Sequence, residues 1–366
     1  MRRILLLTTL AAMLAAAMAL SGVAQAKPIS DSPDAKCAKL AIQTLGPSFN
    51  PSNYTFHGGT EGRDPSPANT AGNDVFCGFG GDDLISLLEA GDIFLGGAVD
   101  DFVGTNSGIF NGGEGNDSVF GRNNATFNGE AGDDSVETNA GIFNGGSGND
   151  HVHTNNTGGI FNGGEGNDSV DGNLATVNGG EGNDSVGTNF GTFNGEAGDD
   201  SVGTNSGTFN GGADNDVVDT NNTSGTVNGG EDNDSVSTNS GTFNGEAGND
   251  QVSINNANGT VYGGGGTDDV DANEGTVYGE AGNDFVNNNF GTFYGGEGDD
   301  SVNINDGTFN GGEGNDYVNT NFGTFNGEAG NDVVQINSPS GTFDGGDGDD
   351  TVVTNAGSTS NVEHGV

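Results

Sequence analysis

Seventeen aspartates recur along this sequence at intervals of 16–18 residues: Asp83, Asp101, Asp117, Asp134, Asp150, Asp168, Asp184, Asp200, Asp216, Asp234, Asp250, Asp268, Asp284, Asp300, Asp316, Asp332 and Asp350. Each closes a glycine-rich turn such as "GGEGND" (163–168). A solubilising turn would not hold one residue so strictly. Glycine permits positive φ and can turn backbone carbonyls toward a common point. Carboxylates plus carbonyls, with no Cys or His in the turn, form an all-oxygen donor set of the kind Ca²⁺ favours. Mg²⁺ demands tighter octahedral geometry and dehydrates reluctantly, so it suits such a cage less well.

Other chemistry is sparse. No Ser–His–Asp set or phosphate loop is evident. "HVH" (151–153) sets His151 and His153 on one outer face, where a transition metal could bind, but a single pair among many units reads as surface variation. The 49 residues of 27–75 are too few for an ordinary enzyme domain. The chain is therefore read as a non-enzyme.

The aspartates need elements to position them. Aligned on the aromatic or Val that opens "FNGGEGNDSV" (110–119), the chain divides into 17 units, from Phe76 to Phe343. Within a unit, "DSVGT" (184–188) and "GTFNG" (191–195) alternate apolar and polar residues between Gly and Asn, which predicts two short strands. Two strands and two turns per 16–18 residues make one coil of a parallel β-solenoid, whose inner side chains are buried only by stacking. The two-residue insertions, as in "TNNTSGTV" against "TNSGTF", mark a loop. Two inner ladders follow, one of opener Phe or Val and one of Val186, Val202, Val218 and their equivalents. A weaker third is expected at Thr188, Thr204, Ile254, Ile304 and Ile336. The recurring far-turn Asn (Asn189, Asn205, Asn221, Asn239, Asn255) suits left-handed backbone and bonding to stacked neighbours.

Charge sharpens the cation argument. The chain has 366 residues, 72 of them Gly, with 53 acids against seven Lys plus Arg and a formal net charge of −46. Such a composition lies near the disordered class unless periodicity rescues it. Nucleic acid and anionic membranes are poor partners for it. From residue 76 onward there are 48 acids and one base, Arg122. Stacking sets the aspartates about 4.8 Å apart, a repulsion that a cation between coils would relieve. One Ca²⁺ in each of the 16 gaps would supply roughly +32.

"GGEGNDSV" resembles the nonapeptide pattern G-G-x-G-x-D-x-U-x of the hemolysin-type (RTX) calcium-binding repeats, and the likeness runs over roughly 76–352. The resemblance implies a right-handed parallel β-roll with Ca²⁺ between successive turns, held by the Asp side chain and Gly-rich loop carbonyls. Carried over, Gly163, Gly164, Gly166 and Asp168 form one loop, and Gly311, Gly312, Gly314 and Asp316 another. This chain departs from the pattern in having no Asp in the second half of each coil, so one ladder is expected. Five turns read "GEAG" (Glu130, Glu196, Glu246, Glu280, Glu328), and Val99, Asp214 and Asp232 replace the last Gly. No toxin or protease activity carries over.

The ends complete the organisation. Arg2 and Arg3, the apolar run 4–20 and "AQA" (24–26) read as a secretory signal peptide over 1–26, an uncleaved anchor being the rival reading. Cys37 and Cys77, the only cysteines, are expected to form one disulfide, as suits a secreted chain. Residues 27–75 read as a leader capping the open end, 76–352 as the repeat solenoid and 353–366 as a tail. The expected protein is secreted, Ca²⁺-dependent and structural, associated with a cell surface or with matrix polymers. The alternative is ice binding, or binding of another ordered surface, by the Thr/Asn rows Thr192–Asn194 and Thr208–Asn210.

Overall fold

The computed structural model describes residues 32–64 and 72–365. Each unit folds as the alternation dictates. Ser185–Asn189 and Thr192–Ala197 are the two strands of one coil, and Ser201–Asn205 and Thr208–Ala213 those of the next. Successive coils pair in parallel and in register, with Val186 opposite Val202 and Phe193 opposite Phe209. The result is two parallel sheets of 19 and 18 strands, a β-roll with almost no helix. About 17 coils were expected; the stack reaches about 19 because degenerate rungs extend both ends. Strand β1 (Thr55–Gly58) pairs with β2 (Asp74–Cys77), and Ser358–Ser360 and His364–Gly365 add the last rungs.

The core is two columns thick. Opener rings such as Phe94, Phe110, Phe127, Phe143 and Phe161 are at most 2% exposed and stack with centroids 4.6–5.0 Å apart. The facing Val column, from Val103 to Val352, is equally dry. Burying one such side chain contributes about 1.5–3 kcal/mol. Only stacking removes both of its faces from water.

The expected third ladder is not the observed one. Ile254 and Ile336 are 45% and 43% exposed, and Thr188 is half-buried. The inward position is the following Asn, fully buried from Asn106 to Asn337. Val186 and Asn189 both face in although they are three residues apart, so the period-two alternation slips at the Gly187–Thr188 corner. None of these Asn residues has positive φ; the bonding role alone explains them. Asn189 Nδ2 donates to Asn205 Oδ1 (2.9 Å) and to the Thr208 carbonyl (2.9 Å) of the next coil. The two-residue insertions sit at this same edge, where Gly225 N–H closes a turn onto the Asn222 carbonyl (2.8 Å). The opposite edge keeps its geometry undisturbed.

Helix α1 (Pro33–Leu45) starts at an N-cap Ser32 whose side chain accepts from Ala35 N–H, with Pro33 in the first turn. It packs on the outward side of the first coils. Its buried Cys37 and Ala41 meet Val75, Cys77, Ile93 and Leu95, the outward residues of β2 and of the strand Ile93–Ala98. Cys37 and Cys77 are joined by a disulfide. His57 of β1 stacks on Phe76 (4.9 Å) and ends the ring column. The signal-peptide segment 1–26 lies outside the described residues. Among those described, no helix is long and apolar enough to cross a membrane.

Candidate metal centre

All seventeen aspartates line up along one edge and are at most 5% exposed. Their two carboxylate oxygens differ in kind. Oδ1 accepts the backbone N–H of the aspartate one coil earlier, as in Asp168 N–H to Asp184 Oδ1 (2.6 Å). The bond repeats at 2.6–2.8 Å across all sixteen gaps. Oδ2 is buried and has no hydrogen-bond partner in any of the seventeen. A buried oxygen without a partner costs about 1–3 kcal/mol, and more when charged. Seventeen in one column require a common explanation.

The surroundings supply more oxygen and no donor. A methyl group built on Gly163 would collide with Asp168 Oδ2 and lie 2.5 Å from the Gly179 carbonyl oxygen of the next coil. The same convergence recurs at Gly195, where an added methyl would collide with Asp200 Oδ2 and lie 2.6 Å from the Gly211 carbonyl oxygen, and at Gly327, where it would meet Asp332 Oδ2 and the Gly345 carbonyl. The glycine five residues before each aspartate is present in all seventeen turns, from Gly78 to Gly345. Its role is space: a side chain there would fill the gap in which the two oxygens meet. The sequence displays that invariance openly, but neither positive φ nor the aiming of carbonyls explains why this one position admits no substitute.

Positive φ belongs to the second and fourth turn positions, Gly164 (122°) and Gly166 (127°). These are the positions where substitution is tolerated. Glu196 sits at φ 81°, and Val99, Asp214 and Asp232 at 74°, 75° and 71°. The three turns lacking the last Gly nevertheless bury Asp101, Asp216 and Asp234 with the same partnerless Oδ2. The departures bend the turn without removing the cradle.

Burial without a counter-charge raises these carboxyls, partly offset by the N–H bond to Oδ1. Asp168 rises to about 6, Asp200 to about 7 and Asp117 to about 8. For Asp200 and Asp117, neighbouring carboxylates add to the rise. Two occupants would satisfy each Oδ2: a proton, which turns it into a donor, or a cation. At neutral pH and above, an all-oxygen cradle of alternating carboxylates and carbonyls fits a hard divalent ion.

The far edge is the contrast. Its Asn column satisfies itself, each amide donating to the next, and none of its side-chain atoms is left without a partner. Amides donate and accept, so a stack of them closes on itself; carboxylates only accept.

Fold and edge together define a parallel β-roll whose turns carry a buried carboxylate column. The RTX calcium-binding nonapeptide repeat family model matches four copies in this chain, over residues 104–136 and 342–359. The matched coils are similar to RTX calcium-binding repeats, and the unmatched ones share their register. No curated protein and no solved structure matches the chain.

Proposed function

We propose that this chain is an extracellular structural protein whose β-roll forms on binding Ca²⁺ at the Asp column. The ions would lie in the gaps between coils, up to one per gap, held by Asp Oδ2 atoms and the carbonyls of the glycines five residues earlier. The single observation that carries this reading is the column of seventeen buried, partnerless Oδ2 atoms. Binding would then be folding free energy, since the cradle exists only between stacked coils. The self-satisfied Asn edge supports one ion ladder rather than two. The Cys37–Cys77 bond supports an oxidising, extracellular setting, where Ca²⁺ is plentiful. A rod of this kind would serve at a cell surface or among matrix polymers.

Far-UV circular dichroism of the chain without residues 1–26, in EDTA and then titrated with Ca²⁺ or Mg²⁺, tests it. A coil-to-β transition specific to Ca²⁺ is expected. Full β structure in EDTA, unchanged by Ca²⁺, would refute it.

A second reading, binding of ice or another ordered surface, draws on the in-register Thr192/Thr208 and Asn194/Asn210 rows. It is weakened because these Asn amides are spent on one another, Asn210 Nδ2 donating to Asn194 Oδ1 (2.7 Å). Tyr262, Tyr278 and Tyr294 also interrupt the row as a stacked column. Absence of thermal hysteresis in the Ca²⁺-loaded protein would remove this reading.

A further inference from the structure

The outer face of the second sheet carries a donor set of different chemistry. In the strand His151–Asn155, Val152 points into the core and is fully buried, so His151 and His153 project together from the outer face. The next coil pairs with His151 opposite Ser169 and Val152 opposite Val170, which lays Asp171 beside both rings. His153 Nδ1 is 2.7 Å from Asp171 Oδ2, and His151 Nε2 is 3.7 Å from the same oxygen. One ligand atom from each of the three residues lies within 4.8 Å of the others.

We propose that His151, His153 and Asp171 bind one transition-metal ion of the Zn²⁺ class, at a site separate from the Asp column. Ligand atoms around a tetrahedral ion with bonds of about 2.0–2.1 Å stand roughly 3.3 Å apart. The observed 2.7 and 3.7 Å bracket that spacing, so small side-chain rotations admit the ion. The second ring nitrogen of His151 lies 2.8 Å from Ser169 Oγ, which fixes the ring and leaves Nε2 for the metal. The three side chains are 42%, 55% and 56% exposed, so the ion enters from solvent and one coordination position stays open. Two imidazoles and a carboxylate prefer Zn²⁺, Ni²⁺ or Cu²⁺, whereas Ca²⁺ takes oxygen. The following coils place Gly187 and Gly203 where His153 and Asp171 stand, and no second such group occurs among the described residues. A lone "HVH" reads as surface variation because its third ligand arrives 18 residues later, from the neighbouring coil.

The chain has four histidines, so imidazole NMR resonances of the Ca²⁺-saturated protein report on each. Titration with Zn²⁺ is expected to move the His151 and His153 signals together, saturating at one equivalent, while His57 and His364 stay in place. His153→Ala is expected to abolish the response and Asp171→Asn to weaken binding about tenfold or more. Both variants should keep their β spectrum in Ca²⁺, because the side chains are on the surface. Imidazole signals that do not respond to Zn²⁺ would overturn the proposal. So would binding unaffected by His153→Ala, or Zn²⁺ displaced by excess Ca²⁺, which would place it in the Asp column. The imidazole readout is independent of whether Ca²⁺ drives folding.

Discussion

A carboxylate that is buried with one oxygen bonded and the other bare responds to pH in a definite direction. Asp200 reaches about 7 in the metal-free fold, against about 3.9 for an unfolded Asp. Between those values the folded chain holds more protons than the unfolded one. Its contribution to metal-free stability is therefore present in full below pH ~4 and is lost as pH rises through about 7. In EDTA, β structure is expected to fade from acid toward neutral pH, as read by circular dichroism; β content growing with pH would contradict the assignment. Ca²⁺ should reverse the trend, since it binds only the ionised carboxylates. Asp200→Asn is expected to remove about one bound Ca²⁺ per chain by equilibrium dialysis. Gly195→Ala should do the same with no change of charge, because its methyl group meets Asp200 Oδ2 and the Gly211 carbonyl. Gly172→Ala, whose added methyl meets nothing within 4 Å, should change stability by less than about 0.5 kcal/mol.

Within a coil, the two edges follow different rules, and the strands carry the cost of breaking either. Phe127 lies between Phe110 (4.6 Å) and Phe143 (4.7 Å), so Phe127→Ala leaves a gap in a continuous column. A loss of about 3–5 kcal/mol is expected in denaturant titrations with Ca²⁺ present. At the far edge Asn205→Ala leaves Asn189 Nδ2 without the Asn205 Oδ1 it bonds at 2.9 Å, a cost of about 1–3 kcal/mol. The Phe, Val and Asp columns were legible in the sequence because each recurs once per coil and occupies a simple strand or turn position. The Asn column was legible as a repeat but not as an interior one. A strand corner moves the inward residue from the second to the third place after Val186, and period-two reasoning then selects Thr188. The seating of α1 was hidden for another reason. Apolar residues take both outward positions beside the opener, Val75 with Cys77 and Ile93 with Leu95, only in the first coils, so no repeat announces the seat.

At the scale of the whole molecule, 48 acids with one base from residue 76 onward leave no internal counter-charge for the column. Salt screens buried charges far less than exposed ones. Molar NaCl is therefore expected to be a poor substitute for millimolar Ca²⁺ in restoring β structure, a comparison that circular dichroism makes directly. The roll also has a mechanical character. Each coil touches only the coil before and the coil after, so tension along the axis peels residues from one end instead of shearing the whole. Sixteen residues drawn out at about 3.3–3.6 Å each, less the 4.8 Å they spanned when wound, release roughly 50 Å of chain per coil. A pulled molecule would lengthen in even steps, one per ion released. The covalent bond from Cys37 to Cys77 withholds the residues between them from that extension. The protein would behave as a spooled tether: short and stiff while calcium is present, and many times longer under load.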